Sequence, residues 1–393
     1  ALKRLARHYV DDPLPYHFSD LFGKMHVIAG ENSQISITAL DTYDRGTLTT
    51  ENDFFGRKDV IRWRNTAIGG RYLFAPTALS VLGEFLVTYS RLQSEFGPAE
   101  APNRSADVRL VSTAVNMTYF AGRSEVGWGF FFRAPTTEAE LDGLYQNLIT
   151  RKYISSHTGV YLDAEIYFGA GLHARPGFAV QAFGTAPISF EPRLRAKWDL
   201  GRHHLNGAVG LYRQHFVGLA DRRDATSVFT AWIETPRNVP MRAIHMILGH
   251  SVELGRGMDL AVEGFRKVMD NIFVSEWTTF PSFTTRLQSA SGTVNGFDVR
   301  FEMRKEKFFG FVTYGYSTTR YDVDPESEAA VDPGPFRPPH DRRHQVNVLG
   351  SADLAGFRLS ARWQLGTGLP YTPVQGFDGF ILMDGPTNVA GVR

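Results

Sequence analysis

The chain has 393 residues, a net charge of +1 and a mean hydropathy of −0.21. Near-neutral charge gives no sign of a surface built to bind polyphosphate, and the absence of cysteine excludes a disulfide framework, thiolate metal sites and a cysteine nucleophile. No uncharged apolar stretch reaches the ~18 residues that a membrane-crossing helix needs, which leaves a globular protein or a β-barrel, whose polar inner face hides from hydropathy.

Taken in chain order, the informative segments share one period. Val126, Trp128, Phe130 and Phe132 oppose Glu125, Gly127, Gly129 and Arg133. Val160, Leu162, Ala164, Ile166 and Phe168 oppose Tyr161, Asp163, Glu165 and Tyr167. Leu194, Ala196, Trp198 and Leu200 oppose Arg193, Arg195, Lys197 and Asp199. Phe297, Val299, Phe301 and Met303 oppose Asp298, Arg300, Glu302 and Arg304. The last two strands, 345–354 and 357–366, alternate in the same way, with only Leu349 out of phase. A period of two places each set on its own face of a sheet. Soluble strands run ~5–6 residues; these hold phase for about the 9–11 that cross a bilayer. The reading is an all-β, antiparallel transmembrane β-barrel.

The connections alternate in length. Short turns fall at Gly30–Asn32, Ala75–Ala78, Gly122–Ser124, Gly201–His203, Gly255–Gly257, Lys305–Lys307 and Ala355–Gly356, rich in the residues that tight hairpins require. Longer polar segments at 44–58, 97–106, 134–153, 218–240, 275–291 and 324–340 read as loops. Outer-membrane barrels have short periplasmic turns and long external loops, so the short turns are placed inside and the loops outside. The hairpins add up to about sixteen antiparallel strands.

Several segments resemble the barrel of TonB-dependent receptors. Pro339-His340-Asp341-Arg342-Arg343-His344 resembles that family's P-x-D-x-R-H entry to a late strand. Gly366-Thr367-Gly368-Leu369-Pro370-Tyr371-Thr372-Pro373 is similar to its G-x-P-Y-T-P exit. Gly292–Arg304 with Gly310–Ser317 resembles a late hairpin, Leu260–Asn271 an E-x-Y-x-K strand through Glu263, Phe265 and Lys267, and Leu14–Asp20 an early strand. The resemblance implies the outer membrane as location, its lipid as partner, and a plug domain and the TonB complex as further partners, with surface lipoproteins or other envelope subunits besides. It also implies a barrel of about twenty-two strands, of which about sixteen are visible, so residues 1–393 read as one barrel domain cut at both ends.

The implied function is uptake of a bulky, scarce nutrient (an iron chelate, a glycan or a cobalamin), without catalysis, metal, cofactor or nucleic acid. The alternative is a passive sixteen-stranded porin; a third reading is an adhesion or assembly barrel. Trp277, Phe280 and Phe283, in an external loop, are the candidate substrate contacts, because aromatic rings at a barrel mouth stack on ring-bearing ligands. The same rings would also serve to pack loops together. Arg193, Arg195, Lys197, Arg358 and Arg362 are expected to face the lumen and, under a plug, to bind its carboxylates. His203-His204 reads as a solvated turn whose two rings point apart, and His340, Asp341 and His344 as rim structure in which Asp341 and Arg343 pair. No G-x-S-x-G, H-E-x-x-H or phosphate-binding loop is present.

Overall fold

The structure is a computed structural model, and it describes residues 16–49, 58–98, 102, 104–141, 148–219, 230–236, 239–275, 287–323, 334–338, 340–370, 380–383 and 388–391. Strands β1 (Tyr16–Ile28), β2 (Ser33–Thr49), β3 (Lys58–Phe74), β4 (Val81–Pro98), β5 (Arg104–Ala121) and β6 (Ser124–Leu141) form an antiparallel meander, each paired with the next. Strand β7 (Leu148–Ile154) pairs with the end of β6 and β8 (His157–Gly169) with its beginning. They act as one interrupted strand. Then come β9 (Leu172–Phe183), β10 (Ser189–Leu200), β11 (His203–Gln214), and a short hairpin of β12 (Phe216–Leu219) with β13 (Ala231–Glu234). Strands β14 (Met241–Gly255), β15 (Met258–Ser275), β16 (Leu287–Lys305), β17 (Phe308–Val323), β18 (His344–Leu354) and β19 (Phe357–Gly366) continue the series. A separate pair, β20 (Phe380–Met383) with β21 (Asn388–Gly391), follows.

Among the described residues seventeen strands belong to one sheet, and with β7 and β8 acting as one interrupted strand they agree with the about sixteen expected. The turn that sequence reading missed is Ala170-Gly171, where both residues have positive φ (49° and 77°). It resembles Ala355-Gly356, which was expected and has the same signature. Two-residue hairpins demand that left-handed geometry.

The chain packs as two compact units. One holds β1 to β9, β10 up to Lys197, β11 from Ala208, β12, β13 and the start of β14; the other holds Trp198–Gly207, most of β14, and β15 to β19. In the first unit, register aligns Ile35, Tyr72, Phe85, Val115, Phe130 and Val160 in a single cross-strand row. All of them are exposed, from 37% for Val115 to 48% for Val160. The adjacent row, on the opposite face, reads Glu84, Asn116, Gly129 and Tyr161. In the second unit, Val299, Tyr314, Val346 and Leu365 align on one face, and Arg300, Thr313, Asn347 and Gln364 on the other. A sheet whose uncovered face is apolar and whose other face is polar suits lipid on one side and water on the other.

The apolar face has an edge. On β5 the apolar series Tyr119, Met117, Val115, Thr113, Val111 ends at Arg109 and Asp107, a run of about nine residues, which fits a bilayer crossing. Register places that edge across Asp41, Thr66, Arg91, Arg109 and Thr136. Beyond it the same face carries a collar of ion pairs: Arg64 Nε to Asp41 Oδ1 at 3.1 Å, Arg62 Nη1 to Glu95 Oε2 at 2.9 Å, and Asp107 held by both Arg91 and Arg109. Burial alone would raise the Asp107 carboxyl, but hydrogen bonds from Arg91 and Arg109 outweigh it and hold its pKa below the ordinary carboxylate value. On β17 the sequence Phe308, Val312, Tyr314, Tyr316 gives way to Thr318, Arg320 and Asp322 in the same manner.

The collar corrects the expected loop boundaries. Residues 44–49, 97–98, 104–106, 134–141 and 148–153 are strand, where the sequence pattern placed loops. Hydrophobic alternation stops at the edge of the apolar face because both faces beyond it meet water. The backbone ladder needs no such alternation and runs on.

Val115 and Ser105 share one face of β5, inside and outside the apolar row. Val115→Arg is expected to cost about 2–4 kcal/mol of folding stability in lipid, and Ser105→Arg about 0–1 kcal/mol. Reversible unfolding of the two variants in lipid vesicles measures the difference.

Candidate functional site

The polar face of the first unit carries a hydrogen-bonded ribbon that crosses five strands. Arg71 on β3 pairs with Glu84 on β4. Glu84 Oε2 accepts from Asn116 Nδ2 at 2.8 Å, and Asn116 Oδ1 accepts from the Tyr161 hydroxyl at 2.8 Å. Tyr161 reaches Asn116 across β6 because residue 129 is glycine: a Cβ there would lie 2.5 Å from the Tyr161 ring and 2.5 Å from the Val115 carbonyl oxygen. Two residues nearer the short turn, Arg175 Nη2 lies 2.6 Å from Asp163 Oδ1, with Glu165 at 3.3 Å and Glu125 at 3.6 Å. His173 Nδ1 stands 3.9 Å from Glu165. Gly177 leaves room between Asp163 and the stem of Arg193, whose guanidinium sits 5.7 Å from the Tyr212 ring centroid. Charges alternate along the ribbon, so it is wettable without being strongly basic.

The expected basic residues occupy different surroundings. Arg193, Arg195 and Lys197 share a face of β10 with Glu191, opposite Leu194 and Ala196; Arg193 is half-buried, while Arg195 and Lys197 are exposed. Arg358 is neutralised by Asp353 through bonds of 2.8 and 3.0 Å. Arg362 is exposed on the face of β19 that carries Ser360 and Gln364. Trp277, Phe280 and Phe283 lie outside the described residues.

His203 and His204 point apart: His203 Nδ1 meets His250 Nε2 at 3.1 Å, and His204 bonds Asp199 and Glu253. At the P-x-D-x-R-H segment, buried Asp341 accepts the Thr319 backbone N–H at 2.7 Å and faces Arg343 Nε at 3.7 Å. His344 Nδ1 meets the Tyr314 hydroxyl at 2.9 Å, and His340 Nε2 the Tyr321 hydroxyl at 3.3 Å. The contacts of His340, Asp341 and His344 tie the segment that enters β18 to β17.

The segment 218–240 departs most from expectation. Its polar run reads as an external loop, but residues 218–219 and 231–234 belong to the β12–β13 hairpin, and β13 packs against β5 and β6. On those two strands Ala106 and Ala139, which are opposite one another in register, and Thr137 are buried. These residues are on the same face as Asn116 and Gly129, the polar face. Val217 with Ile233 and Leu219 with Ala231 form the buried side of the hairpin. Four-residue strands give too short an alternation to stand out from a polar run, which is why the pattern missed them.

No family model matches the chain, and no curated protein does. Among solved structures it is similar to the siderophore receptor PirA from Pseudomonas aeruginosa, at 11% identity and a TM-score of 0.61 over 89% of this chain and 63% of that one. The FrpB iron transporter from Neisseria meningitidis (F3-3 variant) gives 10% and 0.63 over 90% and 60%, and the alcaligin outer-membrane receptor FauA from Bordetella pertussis 12% and 0.57 over 89% and 60%. The likeness is one of fold. The chain has the antiparallel transmembrane β-barrel fold of TonB-dependent outer-membrane receptors. It spans about three fifths of the length of these neighbours.

Gly129→Ala should lower stability by about 1–3 kcal/mol, because its new methyl meets a backbone oxygen as well as a ring. Gly70→Ala, where nothing lies within 4 Å of the added Cβ, should be close to neutral. Denaturant midpoints of the two variants, each against the parent, test the close packing over β6.

Proposed function

We propose that the chain is barrel wall of an outer-membrane receptor that imports a bulky, scarce nutrient, with an iron chelate first and a glycan or cobalamin after it. The observation that carries this reading is the two-faced sheet: an apolar face about one bilayer deep, a charged collar beyond it, and a wettable ribbon on the opposite face. In a barrel the apolar face meets outer-membrane lipid and the ribbon lines the interior. The neighbours' names, a siderophore receptor and an iron transporter, favour an iron chelate. The chain itself does no chemistry. It supplies a wall and binding loops, and energy reaches the transported ligand through a plug domain and the TonB complex. Arg193, Arg195, Lys197, Arg358 and Arg362 face the interior and meet plug carboxylates, and Trp277, Phe280 and Phe283 contact the ligand at the mouth. Surface lipoproteins or other envelope subunits are further partners in this reading.

A passive porin is the second reading, and the β12–β13 hairpin favours it, since an element seated on the polar face would narrow an open channel. Cells carrying the protein and fed a radio-iron chelate distinguish the two. The receptor reading expects accumulation above the external concentration, abolished by a protonophore. Equilibration that a protonophore leaves unchanged would replace it with the porin.

A further inference from the structure

We infer that the β12–β13 hairpin is a fixed constriction on the polar face and that Trp232 is the side chain a permeating solute meets there. The inference rests on the reading of the polar face as the wall of a passage.

Three observations carry it. First, the hairpin is seated by complementary surfaces. Strand β13 packs against β5 and β6, on which Ala106 and Ala139 are 6% and 2% exposed, and the hairpin's own Leu219, Ala231 and Ile233 are 6%, 0% and 4% exposed. Small residues opposite one another in neighbouring strands make room for a third layer that larger side chains would exclude.

Second, a polar clasp pins its base. The Thr235 N–H donates to the His215 carbonyl at 2.9 Å, and the Thr235 hydroxyl meets His215 Nδ1 at 3.1 Å. Nε2 of the same ring lies 3.7 Å from Glu234 Oε2. Ser155, where β7 gives way to β8, bonds Glu234. His215 also stacks on Phe183, with centroids 5.5 Å apart, and Phe183 stacks on His157 at 4.2 Å. The clasp thus joins the hairpin to β8 and β9, and a buried polar network that is largely satisfied holds one geometry.

Third, the hairpin turns one large residue outward. Trp232 is 38% exposed between Ala231 and Ile233, and its ring lies over Gly218, where an added Cβ would come within 3.4 Å. The indole, with one edge against Gly218, leaves part of its surface to solvent. That surface takes the flat apolar face of a ring, so the solute class is one bearing sugar or aromatic rings.

The chain has no cysteine, so single cysteines report without interference. In the full chain folded in detergent, W232C should react with a bulky water-soluble thiol reagent about tenfold faster than I233C, because a seated residue reacts only when the hairpin lifts. Adding Glu234→Gln to I233C should raise its rate toward that of W232C by loosening the clasp. In planar bilayers, modification of W232C should lower the current at least twofold relative to the unmodified variant. Equal labelling of W232C and I233C, no effect of Glu234→Gln, or an unchanged current after full modification would each overturn the constriction. If the chain carries no current, the labelling order alone decides. None of these measurements depends on energised uptake, so a failure here is separate from a failure of the receptor reading.

Discussion

Lipid offers no hydrogen bonds. A backbone N–H or C=O left bare in the hydrocarbon costs several kcal/mol, so a chain without a crossing helix enters a bilayer only as strands that satisfy one another. Everything else in this protein follows from that ladder. The meander from β1 to β6 pairs each strand with its successor along nearly its whole length. Where β6 outruns a single partner, β7 and β8 share it, with an irregularity between Thr137 and Ala139.

Once the ladder fixes the register, side chains sort by parity. One residue separates the row Phe85, Val115, Phe130, Val160 from the row Glu84, Asn116, Gly129, Tyr161. A slip of one position would turn Glu84 toward lipid and Phe85 toward water on every strand at once, so the register is strongly specified. The collar then sets depth. Exposed ion pairs such as Arg64–Asp41 are screened by water and do little for stability. Their effect is to mark where the apolar surface ends, since moving Asp41, Arg91 or Arg109 into hydrocarbon would cost far more than the pairs return.

The faces were legible in the sequence because lipid enforces them: Trp363 and Leu365 against Arg362 and Gln364, or Val160 and Leu162 against Tyr161 and Asp163, could be assigned from period alone. Strand ends were not legible, because Asp44, Arg104 and Glu138 look like loop residues while standing in a paired ladder. The Ala170-Gly171 turn escaped although it carries the same Ala-Gly pair as the turn at Ala355-Gly356. The ribbon was half visible: Asp163, Glu165 and Glu125 appeared as polar-face residues, but their convergence on Arg175 depends on a register that no single strand contains. The hairpin was least visible of all, since its significance lies in what it packs against, and Ala106 and Ala139 are unremarkable until they are seen opposite each other.

The central claim is that one face of each strand meets lipid over a defined depth while the other meets water. Spin labels placed singly along β5, from position 105 to 119, test it most directly when the protein is in bilayers. Accessibility to oxygen, which concentrates in hydrocarbon, should be high at odd positions from 111 to 119 and low at the even positions between them. At 105, 107 and 109 a water-soluble relaxant should take over on that same face. A profile without alternation, or one in which the oxygen signal continues unchanged through position 105, would contradict the account.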